Sequence, residues 1–309
     1  MADAPRGVPR AVAIGNFDGV HRGHARLIAE TIAIAAAGGL EPCVLTFAPH
    51  PARVLAPDRA PPLLLPEARR YELLLALGVA RVVVQPFDAA LAAMSPRAFG
   101  EQLLRDALDA RAVCVGYDFS FGARRAGTTA TLGELGRQLG FAATVVPAVR
   151  VRGIVCASSA IRTLVSAGEI ADAAALLGRP PELEGLVVHG AGRGRTIGVP
   201  TANLALATEV RPALGVYAAS AELADGTRHR AAVNIGVSPT FTAAGAPVTV
   251  EAHLLDFDRA IYGERLRLHL HRRLRSERRF EDKAALVAQI RADLAEARAE
   301  PPPTLPPVD

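Results

Sequence analysis

The chain has 309 residues, half of them hydrophobic and about a fifth charged, with a formal net charge of +4. That is the composition of a soluble globular protein long enough for two buried cores, and no run of about eighteen uncharged apolar residues marks a membrane span. The basic charge is almost all arginine: Lys283 is the only lysine, so a P-loop, which needs a lysine after its glycines, is excluded.

Residues 1–10 hold Pro5, Pro9 and Arg6 but no apolar run, which predicts no secretory signal. Cys43, Cys114 and Cys156 are far apart and odd in number. They predict reduced thiols in a cytoplasm rather than a disulfide frame or a zinc site.

The most informative stretch comes first. An apolar strand over 11–14 runs into Gly15-Asn16-Phe17-Asp18-Gly19-Val20-His21-Arg22-Gly23-His24, and a helical pattern over 24–37 follows, with Leu27, Ile28, Thr31, Ile32 and Ala35 on one face. Two imidazoles, His21 and His24, thus fall at a helix N-terminus, where backbone N–H groups and the helix dipole attract anions. Gly15, Gly19 and Gly23 allow a close backbone approach. The stretch reads as a site for nucleotide phosphates and resembles the His-x-Gly-His signature of adenylyl- and cytidylyltransferases.

Further apolar runs at 43–47, 79–84, 112–115 and 142–146 alternate with helical patterns near 67–77, 96–109 and 131–139. This alternation predicts a parallel sheet covered on both faces, with ligands beyond the carboxyl ends of its strands. Ser158, Ser159 and Arg162 then precede a helical segment over 163–177. They read either as N-caps or as a cradle for phosphates, Arg162 adding a fixed two-pronged charge.

Gly178-Arg179-Pro180-Pro181-Glu182 breaks that helix and reads as a linker over 179–184. Short strands with turn signals follow, at 185–189, 215–223, 228–235, 248–255 and 265–271, with Asp225-Gly226 as a hairpin dipeptide. They predict an antiparallel β-barrel, closed by an amphipathic helix over 282–298 and followed by a proline-rich, disordered tail over 300–309. The whole reads as an α/β N-terminal domain with a Rossmann-like parallel sheet over 1–178 and a C-terminal barrel domain over 185–299.

Gly194, Arg195 and Gly198 precede Pro200-Thr201-Ala202-Asn203. Such a glycine-rich loop presents N–H groups to phosphates, and the Thr201 hydroxyl and Asn203 carbonyl are hard oxygen ligands suited to Mg²⁺. In the strand over 248–254, Thr249, Glu251 and His253 alternate with Val248, Val250, Ala252 and Leu254. Glu251 therefore falls on a polar face. Asp256 and Asp258 read as turn or capping residues.

Several of these elements resemble those of the bacterial bifunctional riboflavin kinase/FMN adenylyltransferase family. Ser158-Ser159-Ala160-Ile161-Arg162 is similar to its Ser-Ser-Thr-x-Ile-Arg motif, with Ala157 where the family has the first serine. Thr46-Phe47-Ala48-Pro49-His50-Pro51 and Val115-Gly116-Tyr117-Asp118-Phe119-Ser120-Phe121-Gly122 match two further loops. Arg70 stands at a place that is often lysine. In the second half, Gly194 to Leu204, Asn234 to Thr240, Val250 to Phe257, Ile261-Tyr262-Gly263, and Leu274-Arg275 with Glu277 and Phe280 match the kinase elements.

The resemblance implies riboflavin to FMN in the barrel and FMN to FAD in the first domain, each with Mg-ATP. It implies His21, His24, Arg162 and Glu251 as catalytic residues, Glu251 being the general base. Gly15, Asn16, Phe17, Asp18, Gly23, Ser158, Ser159, Gly194, Arg195 and Gly198 would contact ATP and phosphate. Phe47, His50, Asp118, Phe119, Phe121 and Arg275 would contact flavin, and Thr201 and Asn203 the metal; the three phenylalanines read equally as core residues, and Arg275 as a phosphate contact or a surface arginine. Partners would be small molecules alone, with no nucleic acid or membrane, in a monomer or weak homo-oligomer. The rivals are a nucleotidyltransferase for another acceptor fused to an unrelated barrel, a flavin or nucleotide sensor without turnover, and a nucleic-acid binder. The last has only the arginines at 272–279 behind it.

Overall fold

The computed structural model describes residues 7–190, 192, 194, 197–237 and 248–308. The chain folds as two compact units, one made of the chain up to Pro62 and of Glu67–Cys156, the other of Leu63–Pro66 and Ala157–Pro307.

The first unit runs β1 (Arg10–Ile14), α1 (Arg22–Gly38), β2 (Glu41–Ala48), α2 (Pro51–Leu55), α3 (Glu67–Ala76), β3 (Arg81–Pro86), α4 (Ala89–Ala92), α5 (Pro96–Ala98), β4 (Ala110–Gly116), α6 (Thr129–Leu139) and β5 (Ala142–Val146), then the hairpin β6 (Arg150–Val151) and β7 (Ile154–Val155). Strands β1 to β5 form one parallel sheet in the order β3-β2-β1-β4-β5. The central strands are apolar on both faces because helices cover both. Val12, Ile14, Leu45, Val113 and Val115 are buried on one of them with Leu104 and Leu132. Strand order reverses beside β1, which leaves a crevice beyond its carboxyl end, and that is where the histidine loop begins.

The second unit starts with α7 (Ser158–Ala167) and α8 (Ile170–Leu177). A closed antiparallel barrel follows: β8 (Glu182–Val188), β9 (Ala202–Leu206), β10 (Gly215–Glu222), β11 (Arg228–Val237), β12 (Val248–Leu254) and β13 (Arg265–Arg275) in the spatial order β10-β11-β12-β9-β8-β13. Closure by the β10–β13 pair removes free edges. Leu183, Val187, Leu204, Tyr217, Val233, Ile235, Val250, Leu266, Leu268 and Leu270 fill it. Helix α9 (Lys283–Ala299) is tied to the barrel wall by Arg275 on Asp293 (2.7 Å) and by Arg272 on Glu296 and Glu300.

Four details differ from the sequence expectation. The helix expected over 96–109 is α5 followed by a wider π-helical turn over Phe99–Ala107. The helix expected over 163–177 is two helices. It breaks at Gly168, whose φ is 82° and whose position a side chain would contest with Arg273, Ala213 and Tyr217. The expected linker already contains the start of β8, whose Glu182 and Glu184 lie opposite His269 and Arg267. These carboxylates read as linker polarity, but they belong to a buried ion network on the outer face of the barrel: Arg267 contacts Glu184 at 2.6 Å and Glu222 at 2.8 Å, and His269 contacts Glu222 at 3.1 Å. Strand β9 was hidden within the glycine-rich motif. Residues 300–308 form neither helix nor strand.

Candidate active sites

In the first unit, His21 is the N-cap of α1 and forms a reciprocal capping box with His24. The His24 N–H donates to His21 Nδ1 at 3.3 Å, and the His21 N–H donates to His24 Nδ1 at 3.3 Å. Because both Nδ1 atoms accept, each neutral ring carries its proton on Nε2. Both imidazoles thus become Nε2 donors at the positive end of a 17-residue helix. The rings stack with centroids 3.6 Å apart. Phe17 meets His24 edge-on at 5.1 Å.

The loop that delivers them is strained and buried. Phe17 and Val20 hold φ values of 53° and 42°, which cost about 1–3 kcal/mol each outside glycine. Phe17, Asp18 and His21 are 0%, 2% and 6% exposed. The glycines here serve close approach: a methyl at Gly15 would sit 3.3 Å from the Phe17 ring, and one at Gly23 would sit 3.0 Å from His21 and 3.2 Å from the Cys156 carbonyl. Asn16 contributes its carbonyl, which accepts from Thr46 Oγ1 at 3.4 Å and from Arg70 Nη1 at 3.0 Å.

The expected flavin residues of this unit divide. Phe47 and Phe121 are core residues, 8% and 6% exposed. Phe119 is half-buried and stacks on Phe121 at 5.4 Å, and Asp118 is exposed. His50 caps α2, its Nδ1 accepting from the Ala52 N–H at 3.2 Å.

Helix α7 starts at Ser158, so Ser158 and Ser159 are not its N-caps; Ala157 is, and no side chain caps the helix. Ser158 and Arg162 are half-buried and Ser159 is exposed.

The kinase-like elements of the barrel come together across three strands. Asn203 on β9, Glu251 on β12 and Asn234 on β11 are register partners in one row, so their side chains share the outer face. Thr201 donates its hydroxyl to Glu251 Oε2 at 3.3 Å. His253, two residues on and on the same face, bonds the Pro200 carbonyl at 2.7 Å. The Pro-Thr-Ala-Asn segment is thereby docked on β12 at two points. Its loop closes where the Val199 N–H donates to the Gly194 carbonyl at 2.9 Å, and Gly198 turns with φ 76°. Arg195 lies outside the described residues. The Asn203 amide lies against the backbone of Gly190, where a Cβ would overlap it.

Thr201, Asn203 and Glu251 offer only oxygen donors, the chemistry a hard divalent cation requires. Arg275, expected at flavin, is turned to α9: its guanidinium forms a two-pronged pair with Asp293 at 2.7 and 3.0 Å. Glu277 lies over Gly236, and burial raises its pKa against the opposing pull of Arg275.

Sequence reasoning gave no site role to Arg70, His253, Asn234 or Gly190, although the first three lay at matched positions. The alternation of Thr249, Glu251 and His253 already placed His253 beside the carboxylate. Nothing in the sequence alone placed Arg70 under the histidine loop.

Comparison with known proteins agrees in both units. The family model for FAD synthetase matches residues 5–160 and that for riboflavin kinase matches residues 177–300. The chain is 38% identical over 286 residues to the bifunctional riboflavin kinase/FMN adenylyltransferase of Pseudomonas fluorescens, covering 93% of this chain and 91% of that one. It is 36% identical to the protein of the same name from Bacillus subtilis, covering 93% and 90%. A solved structure titled a macrolide-efflux protein, from Streptococcus pneumoniae, superposes with a TM-score of 0.87 at 30% identity over 97% of both chains. Among the described residues no helix is long and apolar enough to cross a membrane.

Proposed function

The chain belongs to the bifunctional riboflavin kinase/FMN adenylyltransferase family, and from that premise we propose how its residues divide the two reactions. The enzyme phosphorylates riboflavin with ATP to FMN and adenylylates FMN with ATP to FAD, releasing pyrophosphate. The barrel carries the first step and the parallel-sheet unit the second.

For the kinase, Glu251 accepts the proton of the riboflavin 5′-hydroxyl as that oxygen attacks the γ-phosphorus and ADP leaves. Thr201 and Asn203 would hold Mg²⁺, which supplies charge neutralisation to the ATP phosphates. The observation that carries this assignment is the row Asn203–Glu251–Asn234, with Thr201 hydrogen-bonded to the same carboxylate. Gly194, Arg195 and Gly198 provide phosphate contacts from the loop, as the motif suggests. Arg275 holds α9 to β13 through Asp293.

For adenylyl transfer, an FMN phosphate oxygen attacks the α-phosphorus of ATP. The Nε2 protons of His21 and His24 donate to the phosphate oxygens on which charge grows, joined by the N–H groups at the start of α1. Gly15, Asn16, Phe17, Asp18 and Gly23 shape the loop around the nucleotide. The assignment of Ser158, Ser159 and Arg162 to phosphate rests on their motif. His50, Asp118 and Phe119 would contact flavin, with Phe121 packed against Phe119 and Phe47 in the core. Riboflavin, FMN and ATP are then the partners of a cytoplasmic monomer or weak homo-oligomer that needs neither nucleic acid nor membrane.

Incubation with riboflavin and Mg-ATP, followed by chromatographic resolution of FMN and FAD, tests the division. Glu251→Gln is expected to lower FMN formation by about 10²–10⁴-fold while still converting supplied FMN to FAD. His24→Ala is expected to do the reverse, at a cost of about 10²–10³-fold. If both variants keep both rates, the roles are misassigned.

A further inference from the structure

Arg70 is only 1% exposed, in a protein that pairs its other fully buried arginine, Arg10, with Glu41 at 3.0 Å. Arg70 instead meets neutral acceptors. Nη1 donates to the Asn16 carbonyl at 3.0 Å, and Nη2 to the Phe47 carbonyl at 3.3 Å and to the Tyr71 hydroxyl at 3.3 Å. Its Nε is buried with no hydrogen-bond partner among the described residues. Burying a guanidinium on such terms is unfavourable, so the site it serves must be worth stabilising.

The two carbonyls define that site. Asn16 opens the histidine loop, and Phe47 lies at the end of β2 beside it. Directly after Asn16 the backbone enters its strained stretch at Phe17 and Val20. Strain of this kind persists only where the surroundings over-determine it. Arg70 and Thr46 are the two side chains that grip the Asn16 carbonyl. From there the contacts run on through the Phe17 edge on His24 to the His24–His21 stack.

We propose that Arg70 is a positioning residue for adenylyl transfer, a latch from α3 that holds the strained loop so that both imidazoles face the nucleotide. The proposal rests on the role given to His21 and His24 above. In this role Arg70 acts through the loop and not on the substrate itself. Its planar fork reaches two carbonyls at once, which an ammonium does less well.

The test uses the full-length enzyme with FMN and Mg-ATP, and the riboflavin kinase rate in the same preparation as an internal standard. Arg70→Met is expected to lower kcat for FAD formation by about 100-fold, with KM for ATP and FMN and the kinase rate unchanged. Arg70→Lys is expected to recover part of that loss. Arg70→Lys and Phe17→Leu are expected to combine less than additively, because both act through one contact chain. An unchanged kcat in Arg70→Met overturns the proposal. So does a raised KM for ATP that salt abolishes, which would make Arg70 a direct phosphate ligand. If Arg70→Met does not fold, additive losses in the Lys and Leu variants overturn it. A wild-type enzyme that makes no FAD from FMN would instead sink the underlying role of the histidines.

Discussion

The two proposed sites, around His21 and around Glu251, are built on opposite kinds of backbone. The histidines sit at a helix N-terminus on a buried, strained loop whose parts hold one another: Phe17 against His24, His24 against His21, and Asn16 under Thr46 and Arg70. Glu251 sits on an open barrel face, half-buried, where β-strand register sets its spacing from Asn203 and Asn234. One site obtains its precision from packing, the other from register plus a loop docked by Thr201 and His253. Neither proposed site holds a P-loop lysine, since Lys283 on α9 is the chain's one lysine.

Acid separates the two units most. Burial pushes the His271 imidazole down to about 4 from its ordinary 6.5, and burial lowers His269 as well. A native ring that stays neutral while the unfolded ring protonates contributes stability in full above pH 6.5. That contribution is lost as pH falls toward 4, on the order of 3 kcal/mol for His271. Glu41 in the first unit also has a lowered pKa; burial opposes the shift, but its bonds to Arg10 and Arg81 outweigh it. Its contribution is lost only as pH drops below its ordinary 4.5. Hydrogen exchange corrected for intrinsic rate should therefore show β13 losing protection between pH 6.5 and 4.5 while β1 keeps it, and His271→Leu should flatten the loss. Equal loss in both strands would refute this.

The same one-methyl change probes each site next. Gly190→Ala places a methyl where the Asn203 amide lies, so FMN formation should fall by about 10- to 100-fold, with the Mg²⁺ requirement shifted upward. Gly23→Ala crowds the His21 ring at 3.0 Å and the Cys156 carbonyl at 3.2 Å but overlaps neither. FAD formation should fall by about tenfold or less. Steady-state assays of both reactions on both variants decide it. If the open face tolerates its methyl better than the packed loop, the contrast between register and packing is wrong.

The legible parts of this molecule were those with local causes. Apolar runs marked β1 to β5 because a doubly covered parallel sheet leaves no polar face, and the glycines around the histidines announced a close-packed turn. What stayed hidden was what tertiary contact decides. Glu182 and Glu184 looked like solvent-loving linker until β13 supplied Arg267 and His269 as partners. The segment over 163–177 read as one helix, because nothing local shows that Arg273, Ala213 and Tyr217 close in on Gly168. Arg275 looked like a ligand contact because nothing in a linear motif shows that Asp293, eighteen residues on, claims its guanidinium. Phe47 and Phe121 carried a functional motif and a core position together, and the fold shows them in the core.

The smallest expected effect sharpens the comparison by elimination. Asp256 is, like Asp258, a carboxylate just beyond the end of β12, and the nearer rival for the base if motif position were the only guide. The structure commits it elsewhere. Arg298 on α9 grips it with two bonds, at 2.6 and 2.9 Å, and it lies 72% exposed. That pair holds its pKa below the ordinary carboxylate value. Its φ of 56° is left-handed, a conformation asparagine accepts as readily as aspartate, and exposed pairs contribute little to stability. Asp256→Asn removes the charge and keeps the shape, so both FMN and FAD formation should run at the wild-type rate. Should FMN formation instead collapse to the level of Glu251→Gln, the proton would be leaving toward the wrong end of the strand, and the row from Asn203 through Glu251 to Asn234 would be architecture rather than chemistry.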